Sequence, residues 1–325
     1  MSHSLHFAHT ERPGITRRQI RGKWGYFDPE GNRITDRGEI DRLNAVGLPP
    51  AYTDAWFAPD PRAHIQALGT DAKGRRQYRY HPDFRAHRES RKFESCAEFG
   101  QRLPLVRKRV ERDLAKRDLT PERAVASIVK LLDSGRIRVG NEQYARANRS
   151  FGATTLLHRH ATLASGRLML RFKAKSGKQC TLNVTDRGLV RFVKQVQDLP
   201  GQHLFQYLDG EGHPHPISSS EVNDYIREAT RADFTAKHFR TWAASALAFE
   251  WLAENAHGSL RDMLAHVSEH LGNTPAVARK SYVHPALIEL AKSGDRESLG
   301  GDLPRQTRWL SRYERGLLAF LERLA

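Results

Sequence analysis

Tyr282 stands in the stretch HLGNTPAVARKSYVHP (270–285), with Arg279, Lys280 and His284 beside it. A phenol set among cations can attack a phosphodiester, because the cations ease its ionisation and steady the charge that gathers on the phosphorane. Four further residues stand where a cap, a turn or a core stripe would fix them. Arg138 lies in GRIRVGNEQY, Lys175 in FKAKSGK, Arg240 in AKHFRTWAAS, and Asn273 nine positions before Tyr282. A guanidinium forks onto two phosphate oxygens, an ammonium hands a proton to a departing alkoxide, and an amide donates a neutral hydrogen bond. Each residue alone also has a plainer reading. Tyr282 is then a helix-end residue with its hydroxyl in water, the two arginines are solvated surface, Lys175 is a turn lysine, and Asn273 only links two helices.

The composition narrows the partner. The chain has 325 residues, with 53 Lys and Arg against 37 Asp and Glu, a net charge of +16. The excess is spread along the sequence, as on a folded surface that faces a polyanion. Nucleic acid fits, since neutralising phosphates releases counterions. An anionic membrane fits less well: no apolar run approaches the roughly 20 residues that span a bilayer, and the amphipathic segments read as core-forming. Two cysteines, Cys96 and Cys180, build neither a disulfide framework nor a Cys-rich zinc site. The pairs His158 with His160 and His213 with His215 lack the i, i+4 spacing of a zinc helix. The start, MSHSLHFAHTERPG, has no apolar signal region, which predicts a cytoplasmic protein.

The elements that must hold these side chains can be read from periodicity. Trp24 and Tyr26 alternate with Gly25 and Phe27 before a turn at Asp28–Asn32 that leads into Arg33-Ile34-Thr35. A second hairpin is predicted from His64–Gly69, across Asp71-Ala72-Lys73-Gly74, into Arg76–His81, with Tyr78 and Tyr80 on one face. From Pro82 the pattern turns helical and very basic. Thr120 caps a helix that starts at Pro121 and stops at Gly135, three residues before Arg138. Leu168, Leu170 and Phe172, then Cys180, Leu182 and Val184, alternate around a turn at 174–177, so Lys175 sits on a β-hairpin tip. Helices follow from Ser218, one with Phe239, Trp242 and Phe249 on its buried face, the next with Met263, Leu264, Val267 and Leu271 before Gly272. Residues 292–306 read as a polar, Gly-rich link to a last amphipathic helix ending in LLAFLERLA. The predicted class is α+β: a small antiparallel β-rich domain over 1–89, then a larger, mainly helical domain over 90–325 carrying one β-hairpin.

An Arg, then a Lys on a hairpin, a second Arg, then a polar residue nine positions before a Tyr resembles the type IB DNA topoisomerases, in particular the small poxvirus-type and bacterial ones. The resemblance runs through IRVGNEQYARANRSFGATTL (137–156), FKAKSGK (172–178), KHFRTW (237–242), LGNTPAVARKSY (271–282) and the QYRYH run (77–81). It covers nearly the whole chain, with the segments in the right order. It implies that Tyr282 is the nucleophile, that Arg138, Lys175, Arg240 and Asn273 complete the pocket, and that Gln77, Tyr78, Tyr80 and Tyr144 touch DNA. It also implies a 3′-phosphotyrosyl intermediate, relaxation of supercoiled double-stranded DNA without ATP, cofactor or metal, and a monomer that closes as a clamp on the nucleoid DNA. One departure is visible. The poxvirus and eukaryotic enzymes usually carry His where this chain has Asn273; an amide still donates to a phosphate oxygen but cannot move a proton. The tyrosine recombinases share the pocket, yet typically place His three residues before the second arginine, where Lys237 stands here. An architectural DNA-binding protein would explain the charge without requiring the Arg138, Lys175, Arg240 and Tyr282 set.

Overall fold

A computed structural model describes residues 5–295, 297–299 and 301–324, residues 88–91 and 298 by their backbone alone. Of the two segments read above as leader-free start and Gly-rich link, residues 1–4, Arg296 and Gly300 therefore lie outside the described residues, as does Ala325, the final letter of the LLAFLERLA run. The chain divides into two compact units, 1–92 and 93–325.

The first unit is a five-stranded antiparallel sheet with a short helix. Its elements are β1 (Ile15–Ile20), β2 (Lys23–Phe27), α1 (Arg37–Ala45), β3 (Thr53–Phe57), β4 (Ile65–Thr70) and β5 (Arg76–Tyr80), in the spatial order β2-β1-β3-β4-β5. The first hairpin is not where the alternation suggested. β1 pairs with β2 across Arg21-Gly22, both at positive φ (47° and 78°), the twist-matched geometry of a two-residue turn. The turn at Asp28–Asn32 is real, but it returns only as a single bridge between Phe27 and Arg33. β1 was hidden because its cations interrupt the apolar pattern. Arg17 turns back onto the carbonyls of Leu48 and Pro49, both at 2.8 Å, and lies 4.5 Å from the Trp24 ring. A small core of Ile15, Tyr26, Leu43, Leu48, Phe57 and Ala67 fills the space between sheet and helix.

A long helix, α2 (Pro82–Leu114), leads into the second unit, followed by α3 (Pro121–Gly135) and α4 (Glu142–Asn148). The expected hairpin is the larger part of a three-stranded antiparallel sheet of β6 (Ala161–Ala164), β7 (Arg167–Lys173) and β8 (Gln179–Val184). Leu168, Leu170 and Phe172 of β7 point into the core while their neighbours face outward, as the two-residue period requires. Then come α5 (Arg187–Val196), a ribbon of β9 (Gln206–Leu208) and β10 (Pro214–Pro216), α6 (Ser219–Thr230), α7 (Ala236–Glu254), α8 (Leu260–Leu271), α9 (Pro275–Ser281), α10 (Pro285–Ser293) and α11 (Arg312–Glu322). The α+β class read from the sequence is the class observed. β6 and the β9–β10 ribbon had no signal, being three or four residues each. Among the described residues no helix is long and apolar enough to cross a membrane.

α3 is the centre of this unit. Thr120 caps it through the Arg123 N–H, and Val125, Ile128, Val129, Leu131 and Leu132 are buried against α5, α6 and α7. Its left-handed cap falls on Arg136 (φ 54°), one residue beyond the expected stop at Gly135, which remains helical. α11 docks on α7 beside a half-buried ion network. Arg107 of α2 holds Asp133 of α3 at 2.8 and 2.9 Å and Glu314 of α11 at 2.8 and 2.9 Å, and the Trp242 indole N–H donates to the same Glu314 at 3.1 Å. Burial alone would lower the Arg107 pKa, but Asp133 and Glu314 more than offset it and the guanidinium stays charged.

Candidate active site

Three of the five candidate residues meet at one point. Arg240 occupies the first turns of α7 and is only 4% exposed. A buried guanidinium needs acceptors, and it finds them in two backbone carbonyls. One donor goes to Arg136 O at the end of α3, and another goes to Leu271 O at the end of α8, at 2.9 Å. Both are terminal helix carbonyls with no helical partner, where the helix dipole favours a cation. The Arg240 guanidinium lies 4.9 Å from the centre of the Tyr282 ring.

Tyr282 closes α9 in a non-helical conformation, its N–H bonded to Ala278 O at 3.0 Å. Ser245, five residues after Arg240 on α7, ties the backbone on either side: its hydroxyl donates to Tyr282 O at 3.4 Å and accepts from the His284 N–H at 3.1 Å. Burial would raise the phenol's pKa. The charges of Arg240 and then Arg138 outweigh it, so the pKa falls below that of an ordinary tyrosine. Arg240 is itself shifted down, first by burial and then by the like charge of Arg138. Two guanidiniums crowded around one hydroxyl repel each other, and an anion between them would relieve the strain.

Arg138 owes its place to two glycines. The strand-like run after α3 is clamped by backbone bonds from Ala153 N–H to Arg138 O (2.8 Å) and Thr154 N–H to Val139 O (2.7 Å). A Cβ on Gly152 would lie 2.6 Å from the Gly140 backbone and 2.7 Å from Arg138 O, and Gly140 itself sits at φ +107°. Only glycine permits this crossing.

Lys175 stands at the tip of β7–β8, exposed, on the rim of a cleft of about 210 Å³ that Arg138, Lys178, Arg240 and Gly272 also line. Asn273 follows the left-handed cap Gly272 (φ 61°), with its N–H on Ser268 O at 3.1 Å. Both polar atoms of its side chain are shielded from solvent, and neither has a hydrogen-bond partner among the described residues. Its backbone carbonyl accepts from Lys178 Nζ at 3.0 Å. Ser245 and Lys178 were not singled out from the sequence. Ser245 hides in a run of small residues, and Lys178 reads as one more turn lysine.

The residues expected to touch DNA fall in two places. Gln77, Tyr78 and Tyr80 belong to β5, an edge strand of the first unit. The Gln77 amide is bonded to Asp71 at 3.0 Å, while Tyr78 is 40% exposed and stacks on Tyr80, which stacks on Phe84. Tyr144 lies on α4 in the second unit, half-buried, its N–H capped by Asn141 at 2.9 Å. His284, beside Tyr282, is driven down to about 4 by burial against Phe93, so it is neutral near pH 7 and adds no charge to the phenol's surroundings.

Residues 81–288, which include all five candidate residues, match the family model described as eukaryotic DNA topoisomerase I, catalytic core; residues 23–71 match bacterial DNA topoisomerase IB, N-terminal domain. The chain is 30% identical over 292 residues to DNA topoisomerase 1B of Acanthamoeba polyphaga mimivirus, covering 85% of this chain and 87% of that protein. It is 21% identical over 278 residues to DNA topoisomerase 1B of Vaccinia virus (strain Copenhagen), covering 79% and 83%. DNA topoisomerase 1 of Mycosarcoma maydis is 25% identical over 197 residues, 55% of this chain and 19% of that protein.

Proposed function

Since the chain belongs to the type IB DNA topoisomerases, we propose that it relaxes supercoiled duplex DNA through a reversible phosphotyrosyl link made by Tyr282. The observation that carries this reading is the convergence of Arg138 and Arg240 on the Tyr282 hydroxyl, which lowers its pKa against the pull of burial.

In the proposed step the phenol oxygen attacks the backbone phosphorus in line with the 5′ oxygen. The Tyr282 O–P bond forms, the P–O5′ bond breaks, and the phenol proton passes to solvent. Arg240 has donors to spare: of about five N–H groups on a guanidinium, two hold carbonyls. The remainder, with those of Arg138, suit the non-bridging oxygens, where one such donor is worth about 10² to 10³ in rate. The two guanidiniums supply the positive charge a metal ion would otherwise bring. Asn273 contributes its unpartnered amide N–H to the same oxygens. The 5′ alkoxide leaves poorly, so Lys175 protonates it, a contribution of about 10² to 10⁴. The new ester keeps the energy of the phosphodiester, and the 5′ hydroxyl reverses the step without ATP once the free end has swivelled. Gln77, Tyr78, Tyr80 and Tyr144 contact the duplex in this reading, mainly at its backbone. The enzyme acts as a monomer on nucleoid DNA.

The test is relaxation of supercoiled plasmid with chelator present and ATP absent. A ladder of relaxed topoisomers is expected, and detergent-denatured mixtures should carry DNA covalently bound to protein. Tyr282→Phe should lose both. Relaxation by Tyr282→Phe, or the absence of any covalent adduct, would overturn the assignment.

A further inference from the structure

The β7–β8 tip is closed by its own backbone but its direction over the cleft needs a tether. The last paired residues are Lys173 and Gln179, and two further bonds, Ala174 N–H to Lys178 O at 2.7 Å and Gly177 N–H to Ala174 O at 3.0 Å, close the loop. That leaves Lys175, Ser176 and Gly177 beyond the ladder, all exposed, with Ser176 and Gly177 at positive φ (65° and 77°). Lys178 is the residue that ties it down. Its ammonium reaches across 95 positions of sequence to the backbone carbonyl of Asn273, at 3.0 Å.

The site of attachment has a physical reason. Asn273 O lies just past the C-terminal end of α8, where carbonyl dipoles accumulate negative charge. The same helix end already receives Arg240 through Leu271 O. One helix terminus thus holds the guanidinium that meets the phenol and the ammonium that restrains the hairpin. We infer that Lys178 is a positioning residue: its bond to the Asn273 carbonyl latches the β7–β8 tip so that Lys175 presents its proton to the leaving oxygen. This rests on the reading of Lys175 as proton donor given above.

The experiment compares two duplexes in single-turnover cleavage, one with the natural bridging oxygen at the 5′ position and one with sulfur there. A thiolate leaves without being protonated, so the sulfur duplex does not need the donor. Lys178→Ala should slow cleavage of the oxygen duplex by about 10- to 10²-fold, a fraction of what general-acid catalysis contributes. On the sulfur duplex it should stay within about threefold of the unmodified enzyme, with unchanged Kd for DNA, and Lys178→Arg should recover most of the oxygen rate, because it keeps a cation for the carbonyl. Equal slowing on both duplexes, a weakened Kd that explains the loss, or an unaltered oxygen rate would each overturn the latch. Lys175→Ala is the control that separates the two readings. If sulfur fails to rescue Lys175→Ala, the proton-donor role itself is wrong; if sulfur rescues Lys175→Ala but not Lys178→Ala, only the latch is.

Discussion

Replacing Asn273 with alanine should make the free protein slightly more stable and the enzyme slower at the same time. The side-chain amide is shielded on both its nitrogen and its oxygen, with no partner for either. An unsatisfied buried amide costs about 1 to 3 kcal/mol. Alanine removes that cost and forfeits only the packing of a small side chain, a net gain of about 1 kcal/mol. For a unit of this size that is a rise in Tm of about 2 to 4 °C. On DNA the balance reverses. An amide hydrogen bond to a charged phosphate oxygen is worth about 1.5 to 3 kcal/mol. At about 1.36 kcal/mol per decade the variant should cleave about 10- to 10²-fold more slowly. Asn273→His, which restores a donor, should cleave as fast as the starting enzyme or faster. Thermal unfolding without DNA and single-turnover cleavage of a duplex oligonucleotide read the two quantities separately. A variant both less stable and slower would make the amide a structural group. Equal cleavage by Asn, Ala and His at this position would remove it from the reaction.

Two further outcomes follow from the same geometry. Gly152→Ala forces a methyl to within 2.6 Å of the Gly140 backbone, so the Arg138 run must move; we expect a loss of about 1 to 3 kcal/mol in stability and at least tenfold slower cleavage, and an unchanged cleavage rate would refute the crossing as Arg138's support. His284 is held near 4 in the folded protein by burial, against about 6.5 when unfolded. The unfolded chain therefore binds the extra proton first, and stability that is complete above pH 6.5 declines as pH falls from 6.5 to 4, then levels off. His284→Asn keeps an N-cap acceptor for the Ala286 N–H but does not titrate. Denaturant midpoints should show the unmodified protein losing about 1 to 2 kcal/mol more than the variant across that window, after discounting for the partly exposed ring. Parallel curves for the two proteins would show that the histidine is not the group concerned.

How much was legible depended on whether a signal was local. Thr120-Pro121, Gly272 and the alternation of β7 and β8 announce caps and strands by themselves, and the structure has them with only a one-residue displacement at Arg136. β1 was missed because Arg17 and Arg18 occupy positions where a core pattern would show apolar residues, and Arg17 spends its charge on carbonyls of another segment. In the candidate site the residue types and order were readable, but their supports were not. Arg240 is held by carbonyls 104 and 31 positions away, and a carbonyl has no letter in a sequence. The same is true of Lys178, whose partner is the main chain of Asn273.

The Glu314 network reaches past the span that the catalytic-core family model covers, which ends at residue 288. Glu314 nonetheless neutralises Arg107 and receives the indole of Trp242, two positions from Arg240 on the same helix. A fragment trimmed to the matching span would leave Arg107 with Asp133 as its one carboxylate and the Trp242 indole without its acceptor, loosening α7 from behind. The stretch of chain that keeps this network whole therefore runs on to Glu314, beyond the family-model span.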